Sequence, residues 1–275
     1  MAHPQIAAFP RLAERNAQPT RAIAGQNTLI TRTIHDMAYD PVRDEIVVPQ
    51  FYAQAIMTFR GGANGNEAPV RIIRGPDTQL ANPARIGADF VHNEIYVPLD
   101  NRLLVFPRDA QGNVAPIRII EGPDTQMDAG AVAVDPVRGL VLVAGDVPGS
   151  RRTPNGDRPG QVAIFDRTAN GNAKPLRIIR GPQSGMVNTG LIVAHPGRGL
   201  ILVGIRSEEK SHPDNYVGVW SVNDNGAVPA RWKIGGPNST LRQVRGIALD
   251  VKNKNVIVSD KYLNAVFTFN FPEIF

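Results

Sequence analysis

Four residues in this chain could do chemistry, and they stand where the corresponding segments of the sequence are mostly small or apolar. They are His35, Asp36, Arg85 and Arg245. A histidine beside a carboxylate can move a proton near neutral pH. Two arginines offer forked donors that match a carboxylate or another anion. The set suits capture of a small anionic ligand. It also suits a hydrolase or lyase step with His35 as acid or base, Asp36 as its orienting partner, and Arg85 and Arg245 as an anion clamp. A buried salt-bridge cluster would use the same residue types. Each reading requires that positions 35 to 245 meet in space.

The elements that could bring them together come from a phrase repeated five times. A strand ending in Phe or Trp leads into an Asn/Gly-rich turn. Pro-x-Arg then opens a second strand, which closes at a Gly usually followed by Pro. Val105-Phe106 … Gly112-Asn113 … Pro116-Ile117-Arg118-Ile119-Ile120-Glu121-Gly122-Pro123 is one copy. Ile164-Phe165 … Gly171-Asn172 … Pro175-Leu176-Arg177-Ile178-Ile179-Arg180-Gly181-Pro182 is another. The closing glycines are Gly25, Gly75, Gly122, Gly181 and Gly236, between 47 and 59 residues apart. An arginine recurs as Arg21, Arg71, Arg118, Arg177 and Arg231, and a hydroxyl as Thr28, Thr78, Thr125, Ser184 and Ser239. Five copies of a hydroxyl that can bond nearby backbone argue for scaffold.

Each copy continues with a short small-residue strand, such as Val132-Ala133-Val134-Asp135, a turn, and a strand such as Leu140-Val141-Leu142-Val143. Four short strands per roughly 50 residues predict a β-propeller blade, with the small-residue strand innermost. The expected fold is one all-β propeller domain over residues 1–275 with five blades, or six if one is incomplete. The N- and C-terminal strands are expected to close the ring, although both ends offer an outer strand of the same type. The tail Phe271-Pro272-Glu273-Ile274-Phe275 is expected to dock on the last blade.

The Gly-Asn … Pro-x-Arg-x-Ile-x-Gly pattern resembles bacterial NHL-type β-propeller repeats over essentially the whole chain. That resemblance implies a fold more than a function. Such propellers include protein- and RNA-binding modules, extracytoplasmic proteins and a few enzymes. Related sugar-lactone hydrolases hold a divalent metal at the axis, and streptogramin lyases use an axial His with an acidic partner. Neither set of functional residues is carried onto this chain.

Sites in propellers form around the axis on the face that carries the loops into each inner strand and between the second and third strands. Asp128, Asn188 and Gln243 recur at one such position and join Arg85 and Arg245 as candidate ligand contacts. Two of the loops are long. Loop 145–160 carries Arg151, Arg152 and Arg158, and loop 206–216 carries Glu208, Glu209 and His212. They read as a wall or a partner-binding ridge.

Composition narrows the options. The hydrophobic share is 42%, with 23 Pro and 26 Gly, which fits a continuous core with frequent turns. Absent cysteines exclude disulfides and thiolate metal sites. No apolar run reaches the roughly 18 residues of a membrane span. The first residues lack a secretory signal pattern, so the compartment is unassigned; a leader removed earlier would make it periplasmic or extracellular. The net charge of +5 is modest and spread once per repeat, which reads as solvated surface and argues against nucleic acid as partner. No metal spacing, calcium loop, phosphate loop or nucleophile elbow occurs, so no cofactor is implied.

The favoured function is non-enzymatic binding or scaffolding, with a protein partner or small anionic ligand on the long-loop face. The alternatives are an axial hydrolase or lyase acting on a small anionic or lactone-like substrate, and a structural subunit of an assembly. The last would expose an apolar patch around Phe51, Tyr52 and Tyr262.

Overall fold

In the computed structural model, which describes residues 4–32, 34–208 and 215–275, short antiparallel strands follow one another in sequence order. Strands β1 (Ile6–Ala8) and β2 (Arg21–Ile23) form a two-stranded sheet. Blade 1 is β3 (Ala38–Asp40), β4 (Glu45–Gln50), β5 (Ala55–Arg60) and β6 (Arg71–Arg74). Blade 2 is β7 (Gly87–Asp89), β8 (Glu94–Leu99), β9 (Arg102–Pro107) and β10 (Arg118–Glu121). Blade 3 is β11 (Ala131–Asp135), β12 (Leu140–Asp146), β13 (Gly160–Asp166) and β14 (Arg177–Arg180). Blade 4 is β15 (Ile192–His195), β16 (Leu200–Ile205), β17 (Tyr216–Ser221) and β18 (Trp232–Gly235). Blade 5 holds three strands, β19 (Val244–Asp250), β20 (Asn255–Asp260) and β21 (Ala265–Asn270). The fold is an all-β, five-bladed propeller.

The small-residue strands are innermost, as expected, because successive blades meet there. A Cβ on Gly87 of β7 would press on the Val132 side chain of β11. The core is not one mass but a series of layers between blades, the arrangement expected when no blade buries its own faces. Val47 and Ile56 of blade 1 pack on Ile95 and Phe106 of blade 2. Tyr96 and Val105 then meet Val141 and Phe165 of blade 3, and Leu142 and Ile164 meet Ile201 and Trp220 of blade 4. Leu202 and Val217 meet Val256 and Val258 of blade 5, where Phe271 and Phe275 dock as expected.

The repeated phrase is a clasp between blades. The fourth strands of blades 1, 2 and 3 bridge the Asn/Gly turn of the next blade, at Ile73–Gly112, Ile120–Gly171 and Ile179–Gly226. Asn113 Oδ1 accepts the Asp77 N–H at 2.8 Å, and Asn172 Oδ1 accepts that of Asp124 at 2.8 Å. Gly75 has φ 138°, and a Cβ there would collide with Asn113 Oδ1, so only glycine fits this crossing. The recurrent hydroxyls are scaffold. Thr28, Thr78, Thr125, Ser184 and Ser239 each bond the carbonyl three residues back, at 2.6 to 2.8 Å.

Two expectations are corrected. The repeat arginines are not all solvated surface: Arg71 pairs with Glu45 at 2.6 Å and Arg118 with Glu94 at 2.8 Å, all four side chains mostly buried. Nor do the two ends share a blade. β1 pairs with β2 and β21 with β20, with no strand pair between the ends among the described residues. The reason is the duplicated strand type. β2 is held to blade 1 by an Ile23–Gly65 bridge of the kind that β6, β10 and β14 make, and β1 already occupies the third-strand place beside it. Ile6 and Ile23 cover Ile46, Val48 and Phe59 of blade 1. No buried cluster joins blade 5 to blade 1 among the described residues. A seam is left between them.

Candidate binding site at the mouth of the axis

The loops that lead into the inner strands bring His35, Arg85 and Arg245 together, as the repeat spacing predicts. They line one cavity of about 200 Å³ with Asn188, Leu191 and Arg206. Arg85 is 7% exposed and donates from Nη1 to the His35 carbonyl at 2.6 Å, a bond that ties the entries to blades 1 and 2. Arg245 enters from β19. Arg206 follows β16 and was expected only as the start of a loop. Its signal in the sequence is a basic residue where blades 2 and 3 carry Asp100 and Asp146 at the end of the second strand.

Three guanidinium groups around one small cavity repel one another, and the proton affinities of Arg245 and Arg85 are lowered. Arg245 is pushed down to about 10, first by burial and then by Arg85 and Arg206. Arg85 is lowered by burial, with Asp36 opposing and Arg206 adding. His35 is held below its ordinary value by burial, then Arg245, Arg85 and Lys261, all of which favour its neutral form. Among the described residues neither Arg206 nor Arg245 has a carboxylate within ion-pair distance. An anion in the cavity would relieve all three charges.

Asp36 does not orient His35. Its Oδ1 accepts the Met37 N–H at 2.9 Å and its Oδ2 the Ile86 N–H at 3.3 Å. Burial raises its pKa, opposed by Arg85 and these two backbone bonds. The expected acid–base pair is therefore not assembled, because the carboxylate is engaged by backbone at the blade 1–blade 2 junction. A second cavity of about 540 Å³ opens beside the cluster and shares His35, Arg85, Leu191 and Arg245 with the first.

The other predicted contacts separate. Asn188 borders the small cavity, but its side chain is taken: Nδ2 donates to Asp157 Oδ1 at 2.8 Å and to the Arg206 carbonyl at 2.7 Å. Asp128 and Gln243 do not line the arginine cavity. Asp128 stands near Asp146 and Asp100, and burial followed by those two carboxylates raises its pKa. The Gln243 backbone N–H donates to Asp260 Oδ2 at 2.7 Å.

The described parts of the two long loops are linked. Buried Asp157 of the first accepts from Ser207 Oγ at 3.1 Å and from the Glu208 N–H at 2.7 Å, both on the second. Arg152 reaches Glu208 at 3.7 Å, and Arg158 pairs with Asp146 at 3.3 Å. Arg151 is exposed. Glu209 and His212 lie outside the described residues. Of the remaining aromatic candidates, Phe51 lies near His35, with ring centroids 6.2 Å apart, and meets Tyr52 edge-on at 5.1 Å; Tyr52 and Tyr262 are more than half exposed.

No protein-family model matches the chain, and no curated protein matches it. Among solved structures it is similar to the Myceliophteria thermophila Cps50 (Swd1) β-propeller domain. The identity is 10% and the TM-score 0.56, over 90% of this chain and 68% of that one. The likeness establishes the class, a β-propeller, and no helix is long and apolar enough to cross a membrane.

Proposed function

We infer that this propeller is a non-enzymatic binding module whose working face is the mouth of the axis, and that its ligand presents an anionic group to Arg85, Arg206 and Arg245. The observation that carries this reading is three guanidinium groups around one open cavity, with no carboxylate paired to Arg206 or Arg245 among the described residues. The Asp157-linked ridge borders the same cavity through Asn188 and Arg206 and would supply the surrounding contacts to a ligand or protein partner. The resemblance to NHL-type repeats supports a binding role in general terms. The enzyme reading loses its acid–base pair, since Asp36 is held by backbone, and keeps only His35 beside the anion site.

Calorimetry and thermal shift with phosphate, acetate and citrate test the reading, with Arg245→Ala in parallel. A ligand at 100 times its Kd should stabilise the wild type by about 2.7 kcal/mol. Arg245→Ala should weaken binding about tenfold or more, within the range of one charge-assisted contact. Absence of binding by any anion, or equal binding by wild type and variant, would remove the arginine cavity as the site.

A further inference from the structure

The seam leaves one face of blade 5 only partly covered: residues 11–14 border it at Asp250, Asn255, Ile257 and Thr268, and the stretch nearer the axis stays open. Val217 and Val219 of β17 are 0% exposed, sealed between blades 4 and 5. Val266 and Thr268 hold the same places in β21, yet Val266 is 69% exposed and Thr268 is exposed too. Leu202 of β16 is fully buried, and its counterpart Ile257 in β20 only partly. Across the seam Met37 and Tyr39 are exposed. An apolar cleft results, walled by Met37, Ile247, Ala248, Ile257 and Val266, and its volume of about 540 Å³ lies in the range that accommodates a whole small ligand.

This cleft does not end blindly. His35, Arg85 and Arg245 line both it and the arginine cavity, so the hydrocarbon wall runs into a cluster of positive charge. Charge at one end and apolar surface along the rest specify an occupant with the complementary division.

We propose that the two cavities are one site for an amphiphilic carboxylate: a free acid whose head group lies among Arg85, Arg206 and Arg245 and whose hydrocarbon chain lies in the seam against Ile257 and Val266. This rests on the arginine cavity taking an anion. It adds the chemical class, because acetate, citrate or phosphate would leave the seam empty. Each methylene moved from water into the cleft strengthens binding about fourfold when fully buried. The apolar part therefore dominates the affinity, and the arginines fix orientation and exclude uncharged analogues.

The test is calorimetry of the whole chain with acetate, decanoate below its micelle concentration, and decanol. Decanoate should bind at least tenfold more tightly than acetate and with a negative heat-capacity change; decanol should bind at least tenfold more weakly than decanoate. Val266→Asp, at an exposed position, should abolish the advantage of decanoate over acetate. Arg245→Gln should weaken both acids.

If acetate binds and decanoate does no better, the seam is not part of the site, while the anion site stands. If neither acid binds, both readings fail. Decanoate binding indifferent to both substitutions would place it elsewhere and overturn the proposal. So would a Val266→Asp variant that changes the oligomeric state in light scattering but not decanoate affinity, since the seam would then be an interface between copies of the chain.

Discussion

His195 occupies a turn position that aspartate holds in the other four blades. Asp40, Asp89 and Asp135 accept the backbone N–H two residues on, at 2.9 to 3.1 Å, and Asp250 accepts that of Asn253, three residues on. His195 makes no such bond. Its ring is 6% exposed, has no hydrogen-bond partner on either nitrogen, and lies 5.1 Å from the ring of Phe275. Burial lowers its pKa, opposed by its own backbone and assisted by Arg198. The unfolded chain therefore takes up the proton more readily than the folded one. Stability is full above the ordinary value of about 6.5 and falls as pH drops through it toward the folded value. Melting temperatures from pH 8 to pH 5 should fall less for His195→Gln than for the wild type. About 1 kcal/mol corresponds to roughly 2–4 °C in a chain of this size. Identical pH profiles would show that the imidazole carries no such penalty.

Among the elements, the long loops are the clearest departure from the repeat. Asp157 gathers Asn188, Ser207 and the Glu208 backbone, so one buried carboxylate holds loop 145–160 to the start of loop 206–216. Replacing it leaves three donors without their acceptor. Asp157→Ala should cost about 2–3 kcal/mol in denaturant unfolding and speed protease cleavage in both loops. Cleavage confined to one loop would mean that they are not coupled. Their lengths and charges were legible as a departure from the repeat. The linking carboxylate was not, because Asp157 looks the same in sequence as any solvated loop aspartate.

At the scale of the molecule, blades 2 to 4 are packed on both faces and blade 5 on one. Few buried apolar contacts mean low local stability, and in a repeat architecture stability is a sum of units and nearest-neighbour interfaces. Hydrogen exchange should therefore give β20 and β21 the least protected amides of the central blade strands, and β12 and β13 the most. Equal protection in β12 and β20 would show that the seam costs blade 5 nothing. Bound decanoate should slow exchange in β20 and β21 first.

Much of this was written in local residue patterns. The Gly-Asn turns, Pro-x-Arg strands and recurring hydroxyls specify a blade because each is satisfied by backbone within the unit or by the adjoining one. Small residues mark the inner strand for a steric reason that any one copy displays. Counting from a common strand end put His35 and Arg245 at one position and Arg85 at the next, since equal strands around an axis place like positions at one mouth. What tertiary structure alone decided lies where copies fail to be equivalent. Asp36 is engaged by backbone at a junction between blades, Arg206 reaches the axis from a strand end, and the seam opens because both ends of the chain bring the same type of strand. None of these follows from a pattern that repeats, because each depends on which neighbour happens to be present in space.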